Sequence, residues 1–195
     1  MKKIVIFASG NGSNAAAIIR HFKDHQYARV VAVYCNNPAA GVIQKAQDSS
    51  VPVRLFDREM LNGGMVLQNL VKEAPDLIIL AGFLWLFPAS IVARFPRQIV
   101  NIHPALLPKY GGKGMYGMNV HRAVQQNREN STGITVHYVD EHYDEGDVIF
   151  QASVALDGRE SCEEIADLVQ ELEHRHFPRI IEQLLLQGGV SSQNQ

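Results

Sequence analysis

Short apolar runs, each continuous rather than alternating, recur through the first half of the chain with segments of helical period between them. A strand that is apolar at every position must be buried on both faces, and such strands belong to parallel sheets covered by helices. Ile4 to Ala8, Val30 to Tyr34, Pro52 to Leu55, Leu77 to Ala81 and Ile99 to Ile102 are the expected parallel strands. Ser13 to Lys23, Ala40 to Asp48, Met60 to Lys72 and Pro88 to Phe95 are the expected helices. The last opens on proline, whose missing N–H is not needed in a first turn. Repeated βαβ units predict an α/β fold: a Rossmann-like open, mostly parallel sheet with helices on both faces.

After residue 131 the pattern changes. Gly133 to Val139 and Val148 to Val154 read as two longer strands joined by the acidic turn Asp140 to Asp147, an antiparallel C-terminal addition to the sheet. A long helix follows, opened by a capping box in which Ser161 and Glu164 satisfy each other's free backbone donors. Ile165, Leu168, Val169 and Leu172 form its buried stripe, Pro178 is expected to bend or interrupt it, and Ile180, Ile181, Leu184 and Leu185 resume the pattern. Residues 1–187 are expected to form one domain, since 195 residues are too few for two full-sized ones, and 188–195 a polar tail.

Composition narrows the function classes. A formal net charge of -2 supplies no field to attract a polyanion, so nucleic acid is not an expected partner. No stretch approaches the roughly 18 uninterrupted apolar residues of a membrane helix, and the N-terminal apolar run is short and leads into a glycine turn. The expected location is the cytoplasm, without a membrane partner, as a monomer or weak homodimer. Cys35 and Cys162 lie far apart without metal-ligand or disulfide spacing, and His121, His137 and His142 lack it too, so no metal is expected and these histidines read as structural or surface groups. His176, on the apolar stripe of the last helix, reads as a satisfied core histidine.

The first strand runs into Ser9-Gly-Asn-Gly-Ser-Asn14 and then a helix, a geometry that offers free N–H groups and the positive end of a helix dipole to an anion. Gly10, Gly12 and Ala15 also fit the loose dinucleotide pattern, but that pattern wants an acidic residue about 20 positions on, and the second strand ends Tyr34-Cys-Asn-Asn37. A plain connecting turn is the alternative. On the fifth strand Asn101 and His103, two apart, project from one face at the carboxyl end, where open α/β sheets keep their ligands. An amide that can bond an oxyanion beside an imidazole suits acyl transfer without a covalent intermediate; a histidine satisfied within the core is the plainer reading. Asp144, in the acidic turn that Gly146 allows to return sharply, can lie across from His103 and raise its pKa by charge pairing.

These segments, with Leu80-Ala-Gly-Phe83, Asn101-Ile-His-Pro-Ala-Leu-Leu-Pro-Lys109, Gly133 to Asp144 and Glu173-His174 ahead of Pro178, closely resemble the folate-dependent glycinamide ribonucleotide transformylases from Ile4 to about Pro178. The resemblance implies transfer of the formyl group of 10-formyltetrahydrofolate, the co-substrate, to the amine of glycinamide ribonucleotide in purine biosynthesis. It implies that Gly12, Ser13 and Asn14 hold the substrate phosphate, that Glu173 bonds the ribonucleotide, and that Asn101, His103 and Asp144 are catalytic, with Asp144 keeping His103 protonated. For the folate it points to Leu84, Trp85, Leu86 and Phe87, to Asn101, to Asp140, Glu141, His142 and Asp144, and to Arg58. Many relatives carry a basic residue after the Gly-Phe pair, whereas this chain reads Gly82-Phe-Leu-Trp-Leu-Phe87, so aromatic packing is expected to replace a polar contact. Tyr110 to Met118 is a glycine-rich stretch, a flap or an ordinary loop. The rivals are a formyltetrahydrofolate hydrolase, whose N-terminal regulatory domain is not expected here, a methionyl-tRNA formyltransferase, whose basic C-terminal domain is not either, and a non-catalytic nucleotide-binding module.

Overall fold

The structure, a computed structural model, describes residues 1–190, with side chains through 187. The chain runs β1 (Lys2–Ala8), α1 (Ser13–His21), β2 (Ala28–Cys35), α2 (Val42–Asp48), β3 (Val53–Leu55), α3 (Arg58–Asn62), α4 (Met65–Glu73), β4 (Leu77–Leu80), α5 (Ala89–Arg94), β5 (Ile99–His103), α6 (Met118–Gln126), β6 (Ser131–Tyr138), β7 (Val148–Ala155) and α7 (Cys162–Val190). The strands form one seven-stranded sheet in the order β3-β2-β1-β4-β5-β6-β7. Neighbours from β3 to β5 pair in parallel, and β5–β6 and β6–β7 antiparallel, as the change of sequence pattern after residue 131 leads one to expect.

The continuous strands are buried on both faces because each feeds two cores. From β1, Ile4 and Ile6 join the residues of α1, α2, α6 and α7, while Val5 and Phe7 join those of α3, α4 and α5. Phe7 anchors the second core, stacked on Tyr34 at 4.8 Å and edge-on to Phe87 at 4.9 Å between ring centroids. Truncating such a buried ring to alanine costs about 3–5 kcal/mol.

Several local expectations change. The helix expected over Met60 to Lys72 is two helices, because the chain turns at Gly63 and Gly64, the latter at φ 86° where a Cβ is disfavoured. α7 continues through Pro178 without a break: the proline removes one N–H donor, and the fully buried Phe177 and Ile181 beside it hold the helix in place. His176 is half-buried against the Phe150 ring at 5.1 Å rather than a satisfied core group. The capping box is present: Ser161 N–H donates to Glu164 Oε2 at 2.8 Å and Glu164 N–H to Ser161 Oγ at 3.2 Å. Of the expected tail, α7 takes in residues to Val190, and 191–195 lie outside the described residues. α6 follows a glycine-rich approach that hides it in the sequence; Val120 and Val124, one turn apart, are its only buried apolar residues.

The strand order reverses between β1 and β4, and in such sheets the crevice at the carboxyl ends of the strands is the natural ligand site. Three connections meet there. Ser9 N–H donates to Gly82 O at 3.1 Å and Leu84 N–H to Ser9 Oγ at 3.1 Å, tying the turn after β1 to the turn after β4, while β5 ends beside them at His103.

Candidate active site

A cavity of about 530 Å³ opens at this reversal, lined on its floor by Asn101, His103, His137 and Asp144. Asn101 and His103 share a face of β5 because residues two apart on a strand do. Asp144 reaches them from the β6–β7 turn: its Oδ2 lies 3.5 Å from His103 Nδ1, and its Oδ1 accepts from Asn101 Nδ2 at 3.4 Å. The three side chains thus converge. Asp144 holds a left-handed φ of 59°, a cost that aspartate bears better than most residues. Gly146 lets the turn come back this closely, since a Cβ there would collide with the Tyr138 carbonyl oxygen.

The hydrogen bonds fix the tautomers. Tyr110 O, an acceptor only, lies 2.7 Å from His103 Nε2, so that nitrogen carries the proton and Nδ1 is the position that titrates. Burial pushes the His103 pKa down; the Asp144 charge and the Tyr110 carbonyl push it up, and burial wins. The expectation that Asp144 keeps this imidazole charged is therefore corrected: 3.5 Å is long for a charge-assisted hydrogen bond, and desolvation at 3% exposure outweighs an attraction at that distance. Asp144 is itself ionised. Burial pushes its pKa up, but the imidazoles of His137 and His103 that face it and the Gly112 N–H, which donates to Oδ2 at 2.9 Å, together hold it below the ordinary 3.8.

His137, expected to be structural or on the surface, belongs to this floor. It is the register partner of Asn101 across β5–β6, so its ring lies on the same face. Its Nδ1 donates to Tyr138 O at 2.8 Å, which leaves Nε2 to accept from Asn101 Nδ2 at 3.0 Å. Sequence reasoning missed it because no local signal gives the register of a long-range pair.

At one end of the cavity stands the start of α1. Gly12 sits at its N-cap with φ 75°, and a Cβ there would lie 2.5 Å from Val42, so glycine is required twice over. The first intrahelical bond runs from Ala16 N–H to Gly12 O at 2.9 Å, leaving the N–H groups of Ser13, Asn14 and Ala15 ahead of it as the anion site expected from sequence. Asn14 lines the cavity, with Gly12 and Ser13 next to it in the chain, and Asn14 Nδ2 donates to Glu173 Oε2 at 2.8 Å. Burial pushes the Glu173 carboxyl up to about 7, the Asn14 bond offsetting only part of it. Asn14 Oδ1 is buried without a partner. Two neighbouring polar groups thus await a ligand carrying both donors and acceptors.

The opposite wall is Leu84, Trp85, Leu86 and Phe87, with His142 and Tyr143 of the acidic turn. Leu84 and Leu86 are 44% and 43% exposed, a large apolar surface left open for a flat ligand. Arg58 and Glu141 lie beyond this wall, in an adjoining pocket of about 380 Å³ that shares Leu84 to Phe87 with it. There the Arg58 guanidinium stacks over Trp85 at 4.3 Å. Asp140 lines neither pocket; its Oδ1 accepts from the His142 N–H at 2.8 Å and shapes the turn. The glycine-rich segment roofs the site, with Gly112, Gly114 and Met115 in the cavity wall.

Residues 2–181 match the family model described as formyl transferase. A chloroplastic phosphoribosylglycinamide formyltransferase of Vigna unguiculata is 37% identical over 94% of this chain, and the phosphoribosylglycinamide formyltransferase of Bacillus subtilis is 34% identical over 95% of each chain. The chain spans 61% of the Vigna protein's length. Among solved structures, the phosphoribosylglycinamide formyltransferase of Bacillus halodurans superposes with a TM-score of 0.86 at 32% identity, covering 94% of this chain and 95% of that one. With the match running through every element that builds the cavity, the chain belongs to the formyl transferase family.

Proposed function

We propose that this protein transfers the formyl group of 10-formyltetrahydrofolate to the amine of glycinamide ribonucleotide, releasing formylglycinamide ribonucleotide and tetrahydrofolate in purine biosynthesis. The observation that carries the reading is the meeting of Asn101, His103 and Asp144 on the floor of one cavity. One end of that cavity is a helix N-terminus suited to phosphate, and the opposite wall is apolar and aromatic, suited to a pterin. Gly12, Ser13 and Asn14 hold the phosphate, and Glu173 with Asn14 meets the ribonucleotide's hydroxyls. Leu84 to Phe87, Glu141 to Asp144 and Arg58 receive the folate, with Asp140 shaping the turn that presents them. The relatives carrying the name phosphoribosylglycinamide formyltransferase support the same assignment. The chain acts on these small molecules in the cytoplasm, as a monomer or weak homodimer.

The amine attacks the formyl carbon, forming the new C–N bond and moving the carbonyl electron pair onto oxygen. The Asn101 amide stabilises that oxyanion; of its two N–H bonds, the 3.4 Å one to Asp144 is the weaker and the one a substrate oxygen can displace. The resting imidazole of His103 is neutral, so the proton that the attacking nitrogen sheds passes through Asp144 to His103 Nδ1. The imidazolium so formed faces the oxyanion, and its proton returns to the folate nitrogen as the old C–N bond breaks.

Mixing the protein with 10-formyltetrahydrofolate and either glycinamide ribonucleotide or buffer alone tests this. Amine-dependent release of tetrahydrofolate is expected; equal release in buffer would make the protein a hydrolase, and none in either would make it a binding module. His103→Ala or Asp144→Asn should cut turnover by about a hundredfold or more, and near-normal rates would remove that residue from the mechanism.

A further inference from the structure

α6 brings into the cavity a side chain that the mechanism above does not use. His121 is 5% exposed, lines the cavity, and has its Nδ1 buried without a hydrogen-bond partner. Nε2 is not among the atoms buried without a partner, and no side chain or backbone group of the described residues bonds it, so it is the ring nitrogen open to the cavity that His121 lines. An apolar side chain would fill the same volume without an orphaned polar atom, so packing alone does not account for an imidazole here. Its surroundings decide which ligand it meets. Val120 and Val124 on either side of it belong to the core shared with α1 and α7, and α6 packs on α7. His121 therefore stands on the wall that carries Asn14, Gln170 and Glu173, across from Trp85.

We propose that His121 contacts the amine-bearing substrate directly, its Nε2 accepting an N–H or O–H of that molecule, and so helps to determine which amine the cavity admits. The proposal rests on the formyl-transfer reading above. Burial and the nearby His103 both push the His121 pKa down, which keeps the ring neutral and able to accept. Besides His103, the other titratable groups of the cavity are Lys113 and Tyr116 from the roof, His137 from β6, His142, Tyr143 and Asp144 from the acidic turn, and Glu173 from α7.

His121→Leu removes the acceptor, and His121→Gln keeps one near the position of Nε2. The Leu variant should raise the KM for glycinamide ribonucleotide, and its Kd by calorimetry, at least tenfold, with the KM for 10-formyltetrahydrofolate changed less than twofold. The Gln variant should recover most of the loss. Thermal unfolding checks that both variants fold, and His121→Phe replaces the Leu variant where that one does not. Unchanged ribonucleotide parameters in the apolar variant, an equal rise for both substrates, or a Gln variant no better than the apolar one would each overturn the contact. A wild type that neither formylates nor binds the ribonucleotide overturns the functional reading and this proposal with it, whereas an active wild type with an indifferent His121 overturns the proposal alone.

Discussion

Replacing Glu173 by glutamine should stabilise the protein, and more so at high pH. Burial raises the carboxyl from an ordinary 4.5 to about 7, so the folded state holds a proton that the unfolded chain gives up. Stability tied to this proton is complete below 4.5, declines as pH rises, and is fully lost above 7. At about 1.4 kcal/mol per pH unit, the whole interval is worth about 3 kcal/mol, and the part falling between pH 5.5 and 8.5 about 2. The cavity admits water to one side of the carboxyl, so the measured value should fall below these figures. Glutamine resembles the protonated acid in shape and can turn its carbonyl to Asn14 Nδ2, keeping the 2.8 Å bond. Urea unfolding of both proteins at the two pH values, extrapolated linearly, gives the comparison. The advantage of the Gln variant should grow by about 1–2 kcal/mol from pH 5.5 to 8.5. A constant difference, or a variant less stable than wild type at pH 8.5, would mean that the carboxylate is well solvated in the folded protein, and the account of a polar pair awaiting its ligand would fail.

Other perturbations separate the walls of the cavity. Gly12→Ala puts a Cβ 2.5 Å from Val42 at a φ of 75°, so a stability loss of about 1–3 kcal/mol and a raised KM for the ribonucleotide are expected in calorimetry and steady-state kinetics. Arg58→Ala or Trp85→Ala breaks the 4.3 Å stack on the opposite wall and should raise the KM for 10-formyltetrahydrofolate while leaving the ribonucleotide's KM alone; a reversed pattern would exchange the two binding regions. Gly146→Ala collides with the Tyr138 carbonyl and must shift the turn that carries Asp144, so turnover should fall with little change in either KM.

What the sequence made legible follows the range of the interactions. Strand positions were readable because burial on both faces leaves a mark at every residue, as in Ile4 to Ala8, and the capping box because Ser161 and Glu164 are local. α6 was not, since a roof of glycines precedes it and its buried apolar stripe is just Val120 and Val124. His137 enters the site through an antiparallel register with β5 that no window of sequence contains. The acidic turn pointed to Asp144 and to the upward direction of its effect on His103, yet the net shift could not be read from residue types, because it depends on how deeply the imidazole is buried.

That burial changes what the Asp144–His103 pair is for. Tyr110 O holds the Nε2 proton, so Nδ1 faces a carboxylate and carries no proton of its own at rest. The same segment reaches Asp144 through the Gly112 N–H, two residues along from Tyr110. The glycine-rich roof therefore sets the geometry of both partners, and a residue with a side chain at Gly111 would press on Asp144 Cβ at 3.3 Å and on Leu107 at 2.6 Å. A neutral imidazole beside an ionised carboxylate is poised to take a proton, which a pre-formed imidazolium is not. On this reasoning the acid limb of kcat/KM lies below pH 6.5, because His103 protonated in the free protein has lost its acceptor. Asp144→Asn removes the attraction that partly offsets burial, and should move that limb lower still; a limb that rises in this variant would show that the carboxylate does not favour the charged imidazole.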